Sequence, residues 1–80
     1  MTDYTFIEKK TGKTLTESEL GLLLYKEGEN IVWCDIQGVA KMDSWDAMKE
    51  PTIDYYLLDE CGNAVFIDPA RFTIIEGKHE

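Results

Sequence analysis

Residues 55–75 read YYLLDECGNAVFIDPARFTII, three apolar runs divided by two groups of turn formers. Extended back to Ile53, the runs are Ile53 to Leu58, Ala64 to Ile67 and Phe72 to Ile75. Each is short and rich in β-branched and aromatic residues, the composition of a strand. Between the first two lies DECGN, Asp59 to Asn63. Asp59 at the first position and Gly62 three residues later fit a type I turn followed by a glycine bulge, a common hairpin closure. Between the last two, Asp68-Pro69-Ala70-Arg71 places Asp at the first and Pro69 at the second position of another type I turn. This stretch predicts a hairpin and a further strand, with the acids of DECGN facing outward and Phe66 and Phe72 in the core alongside Phe6.

Working toward the N-terminus, Ile31 to Gln37 is a strand by content. Alternation groups Val32, Cys34 and Ile36 as the core face and leans Trp33 outward. Gly38 ends or bulges this strand, which resumes through Val39 to Met42. Asp43 to Glu50, before Pro51, reads as an acidic loop or turn carrying Trp45, with one helical turn capped by Asp43 or Ser44 and running through Met48 as the alternative. Thr16-Glu17-Ser18-Glu19 matches a capping box, and Leu15 and Leu20 stand at hydrophobic-staple spacing. Leu20, Leu23 and Leu24 form a helical face, and Gly28 suits the residue after a helix end. The predicted helix spans residues 17–27. Gly21 inside it costs up to ~1 kcal/mol relative to alanine, a cost that close packing of another element would justify. Tyr4 to Glu8 is β-prone, and Gly12 suits the positive φ of a turn back through Thr14 and Leu15. Residues 76–80 form a polar tail expected to fray.

The order is hairpin, helix, then an antiparallel meander of four or five strands. The fold class is α+β, a single domain over residues 1–80, with the helix covering one face of the sheet. Short strands with tight turns also suit a small, partly closed barrel.

Charge narrows the function. The formal net charge is −8, of which −6 falls in residues 31–80. Such a field disfavours direct contact with nucleic acid or anionic membrane and favours a basic partner. No apolar run approaches the ~20 residues of a membrane span, and the first residues lack a signal-peptide pattern. A cytoplasmic protein is expected, with Cys34 and Cys61 as reduced, partly buried thiols and one disulfide between them as the alternative.

Catalytic patterns are scarce. Cys61 follows two acids, which oppose a thiolate, and the only histidine is His79 in the tail. Asp43, Asp46 and Glu50 share a face if helical, but no calcium loop or zinc pattern accompanies them. Phosphate-binding loops and dinucleotide fingerprints are absent. No enzyme, metal or cofactor is expected.

The aromatics remain. Tyr55 and Tyr56 face opposite sides of one strand, so at least one large aromatic stands on the surface among acids. The candidate binding patch is Trp33, Trp45, Tyr55 and Tyr56 with Asp43, Asp46, Asp54 and Asp59. Its expected occupant is another protein with a basic surface: acids speed the encounter and aromatics anchor it. One alternative is a nucleic-acid mimic that blocks a DNA-binding enzyme. Another is a structural subunit that associates through an exposed strand. The expected state is a monomer or a weak homo-oligomer.

The segment YYLLDECGNAVFIDPARF resembles a strand–turn–strand segment of small uncharacterised proteins from phages and mobile elements of Gram-positive bacteria, and WCDIQG, residues 33–38, is compatible with that group. The resemblance implies an accessory protein of phage or mobile-element origin. AVFIDPARFTII also resembles the last two strands of SH3-like barrels, where a proline-containing turn joins them. That likeness implies a barrel-like sheet and no particular function.

Overall fold

The computed structural model describes residues 3–44 and 52–77. Its elements are β1 (Tyr4–Glu8), β2 (Thr14–Leu15), α1 (Glu17–Lys26), a 3-10 turn (Trp33–Asp35), β3 (Ile36–Ser44), β4 (Thr52–Asp59), β5 (Ala64–Ile67) and β6 (Phe72–Glu76). This is the predicted α+β arrangement. The strands form two three-stranded antiparallel sheets, ordered β2-β1-β6 and β3-β4-β5, and do not close into one barrel.

The N-terminal hairpin turns at Gly12, whose φ of +76° is strained for any residue with a Cβ. The helix then starts as its capping box requires: Thr16 Oγ1 accepts from the Glu19 amide, and Glu19 Oε1 accepts from the Thr16 amide. Leu15 and Leu20, the two arms of the staple, are both buried. The helix ends at Lys26 with Glu27 as its C-cap, and Gly28 follows at φ +96°. Gly21 has the close neighbour that its presence implies. A Cβ there would lie 2.8 Å from Ile36 Cδ1 and 3.0 Å from Ile36 Cγ1, so glycine lets the helix sit against β3.

The meander holds for β3, β4 and β5, and β6 then crosses to the other sheet to pair with β1, from Glu8↔Phe72 to Tyr4↔Glu76. The predicted Asp68–Arg71 turn forms, closed by the Arg71 amide on the Asp68 carbonyl at 3.0 Å. It delivers Arg71 to a position where the Lys9 amide bonds its carbonyl. The guanidinium makes two hydrogen bonds to Glu27 and lies 3.7 Å from Glu8. Helix end, first strand and last strand are thereby tied through one side chain. Glu76 closes β6 opposite Tyr4 rather than beginning a frayed tail.

One core serves both sheets and the helix. Phe6, Leu20, Leu57 and Ile67 are fully buried, and Tyr4, Leu15, Leu24, Ile31, Val65 and Phe72 complete the set. Tyr55 packs against this core with its ring edge-on to Tyr4, centroids 6.0 Å apart.

The bounds of β3 differ from the sequence expectation at both ends. Residues 31–35 are not a strand. Val32 gives its amide to the Asp59 carboxylate at 2.8 Å, Asp35 gives its amide to the Val32 carbonyl, and the Glu60 amide bonds the Asp35 carbonyl. Those bonds satisfy the backbone without a ladder. Ile31 is buried and Cys34 exposed, the reverse of the expected faces; the strand begins at Ile36 and carries its bulge between Ile36 and Gly38. Strand β3 also runs on through Asp43 to Ser44, where a loop was expected. The rest of that loop, including Trp45, Asp46 and Glu50, lies outside the described residues.

Candidate functional site

Strand β4 is the middle of its sheet, and its alternation sorts the candidate residues. Leu57 is buried, with Tyr55 on the same side; Asp54, Tyr56 and Leu58 turn the other way. The register extends this outer face across the sheet. Gly38, Leu58 and Ala64 form one row, Ala40, Tyr56 and Phe66 the next, and Met42 pairs with Asp54 beyond them.

Apart from Asp54 this face is apolar, and its side chains are exposed at Met42, Ala64 and Phe66 and half-buried at Ala40, Tyr56 and Leu58. Phe66 is 45% exposed and Met42 58% exposed. The Tyr56 and Phe66 rings meet edge-to-face, centroids 5.6 Å apart and planes at 63°, an arrangement aromatic pairs favour. Soluble proteins seldom leave such contiguous apolar surface open without a use for it.

Phe66 was expected in the core. The run Ala64-Val65-Phe66-Ile67 is apolar at every position, so composition cannot say which parity points inward. The register answers: Val65 pairs with the buried Leu57, Val65 and Ile67 take the core, and Phe66 must face out. Phe66 and Met42 are thus the patch residues that sequence reasoning missed. Once a buried partner for β4 was known, the parity of β5 would have revealed Phe66.

Of the proposed patch, Tyr56 and Asp54 come together on this face. Tyr55 lies on the opposite side, against the core. Asp43 is exposed but has the opposite parity to Met42. Trp33 is exposed, as expected, yet it lines a groove beside α1 with Ser18, Glu19, Leu22 and Cys34. Trp45 and Asp46 are outside the described residues.

Asp59 does not belong to the patch: it is 1% exposed and turned inward. Its Oδ1 accepts from the amides of Cys61 and Asn63, each at 2.9 Å. Its Oδ2 accepts from the Val32 amide and from Asn63 Nδ2, each at 2.8 Å. Burial alone would push the Asp59 pKa up. The hydrogen bonds from the Asn63 side chain and from the Val32, Asn63 and Cys61 amides outweigh that effect and hold it down at about 2. With four donors at two oxygens, the carboxylate fixes two loops against each other. The turn itself is as expected: the Gly62 amide reaches the Asp59 carbonyl at 3.3 Å, and Gly62 has φ +94°. The acids of DECGN therefore divide, Asp59 inward and Glu60 outward.

Cys34 and Cys61 are both free and exposed, not partly buried. Among the described residues, no three of His, Cys, Asp and Glu gather as a metal site would require. No described helix is long and apolar enough to cross a membrane. On β3, Lys41 Nζ meets Glu76 Oε2 at 2.8 Å, a hydrogen-bonded ion pair that raises the lysine pKa and lowers that of the carboxylate.

Comparison with known proteins gives no relative: no family model, no curated protein and no solved structure matches this chain.

Proposed function

We propose that this chain is a non-enzymatic binding protein whose outer β3–β4–β5 face docks on another protein. The observation that carries this reading is the pair formed by exposed Phe66 and half-buried Tyr56, with exposed Met42 and half-buried Leu58 and Ala40 around it on the same sheet face. A sheet face of this kind offers a preorganised aromatic anchor, since both rings stand on strands and few rotamers are lost on binding.

The partner's chemistry follows from charge. Asp54 stands on the face, and exposed Glu60 and Asp68 stand in the turns at either end of β5. A partner presenting an apolar centre with a lysine- or arginine-bearing rim would match that distribution, and the −6 charge of residues 31–80 would speed its approach. The resemblance of residues 55–72 to small phage and mobile-element proteins supports an accessory role of that origin.

Affinity capture tests the reading. Wild-type protein and a Tyr56→Ser/Phe66→Ser variant are immobilised, and each is exposed to a lysate of the source organism. A protein retained by the wild type and lost from the variant, with affinity reduced at least ~10-fold, supports the reading. Equal retention by both removes it.

A further inference from the structure

Strand β3 is nine residues long and forms an edge of its sheet; among the described residues no strand pairs with its other side. The phase of the ladder says which groups point off that edge. The Asp59 amide bonds the Asn63 carbonyl at 3.1 Å, so Asp59 directs its backbone toward β5. Alternation then turns Leu57 and Tyr55 toward β5, and Leu58, Tyr56 and Asp54 toward β3. Their partners Gly38, Ala40 and Met42 point back at β4. Val39, Lys41 and Asp43 are left to direct N–H and C=O groups off the free edge. A row of such groups is a template for another strand.

The side chains specify which strand. Lys41 and Asp43 are exposed, share one face, and flank Met42, which is 58% exposed. A strand with a cation one residue before a centre and an anion one residue after it is complementary to itself when run antiparallel. With Met42 opposite the same residue of a second copy, each Lys41 faces an Asp43, twice over, and the hydrogen-bonding residues meet in phase. Centring the pair on Lys41 instead would oppose two ammonium groups. We propose that β3 pairs antiparallel with β3 of a second copy, centred on Met42.

Three features oppose this pairing. Lysine on an edge strand is a common guard against unwanted pairing, and a bulge is another. Here the bulge lies at the far end, between Ile36 and Gly38. The lysine, already bonded to Glu76, gains a second carboxylate in the Met42-centred register. The like net charge of −8 on each chain makes the association weak and concentration-dependent. The product is a six-stranded sheet in which the two outer faces lie side by side. It does not depend on whether that face binds a partner.

Sedimentation equilibrium on wild type, Lys41→Asp, Asp43→Lys and a one-to-one mixture of the two variants tests the proposal. Wild type is expected to show a monomer–dimer equilibrium, weakened at least ~10-fold in each variant alone. The mixture restores association, because the all-acidic edge of one chain then faces the all-basic edge of the other. A wild type that stays monomeric, variants that associate as wild type does, or a mixture no stronger than its components would each overturn the proposal. Circular dichroism checks that each variant folds. Should one fail, the milder Lys41→Gln and Asp43→Asn variants are measured instead, each expected to weaken association.

Discussion

A double-mutant cycle at Gly21 and Ile36 reports how tightly the helix is set on the sheet. A methyl group at Gly21 would stand 2.8 Å from Ile36 Cδ1 and 3.0 Å from Cγ1, with Leu57 Cδ2 at 3.6 Å behind them. Carbon atoms prefer ~3.5–4.0 Å, so Ile36 or the helix has to move. Overpacking of this kind costs ~1–3 kcal/mol, while alanine in a helix gains up to ~1 kcal/mol over glycine. Gly21→Ala alone should therefore destabilise by about 1 kcal/mol. Ile36→Val alone should cost ~0.5–1 kcal/mol, the low end for this change because Ile36 is only half-buried. In the double variant the 2.8 Å contact to Cδ1 is gone and the 3.0 Å approach to Cγ1 stays, so part of the overpacking is relieved. The pair should thus be more stable than the sum of singles by about 1 kcal/mol. Urea unfolding followed by circular dichroism resolves this, since 1 kcal/mol moves the midpoint by roughly 0.5–1 M in a small domain. Additivity within ~0.3 kcal/mol, or a Gly21→Ala protein more stable than wild type, would refute the close approach of helix and strand.

The DECGN turn supplies three further tests. Gly62→Val should destabilise by about 1–3 kcal/mol, because a β-branched residue must adopt positive φ there. A Cβ would meet nothing within 4 Å at that position, so backbone conformation is the whole cost, and thermal unfolding measures it. Cys61→Ser should leave both stability and partner retention unchanged. Asp59 governs part of the acid limb. Its pKa is about 2 in the folded chain against roughly 3.9 unfolded. Its contribution is thus complete above the unfolded value and disappears as pH falls through the folded one. Urea midpoints measured from pH 5 down to pH 2 should fall less steeply below about pH 4 for Asp59→Asn, from a lower starting stability. Parallel curves for the two proteins would contradict the hydrogen-bonded role of this carboxylate.

Local chemistry made much of this fold legible in the sequence. The Thr16–Glu19 capping box, the staple leucines and the positive-φ glycines 12, 28 and 62 each act over a few residues, so they read directly. Pairing over long distances did not. Nothing local in Phe72 to Glu76 says that it leaves β5 for β1, since Arg71 acts by reaching Glu27 and Glu8 across the molecule. Residues 31–35 misled for a related reason. Their β-prone composition was overridden by the Asp59 carboxylate and the Glu60 amide, donors and acceptors from a turn far along the chain. The candidate site shared this weakness. Tyr56 and Asp54 could be grouped by spacing within one strand, whereas Phe66 and Met42 joined them only through register. Asp59 looked like a surface acid by residue type, and only its four donors explain its burial.

The outer face of β3–β4–β5 is the proposed docking surface. Hydroxyl-radical footprinting with and without a captured partner tests it most directly, because Met42, Tyr56 and Phe66 all carry oxidisable side chains exposed or half-exposed on that face. Oxidation at Met42 and Phe66 should fall when the partner is present, while Trp33 and Tyr25 keep their free-protein rates. Protection of Trp33 or Tyr25 with Met42 and Phe66 unchanged would instead place the binding surface beside the helix.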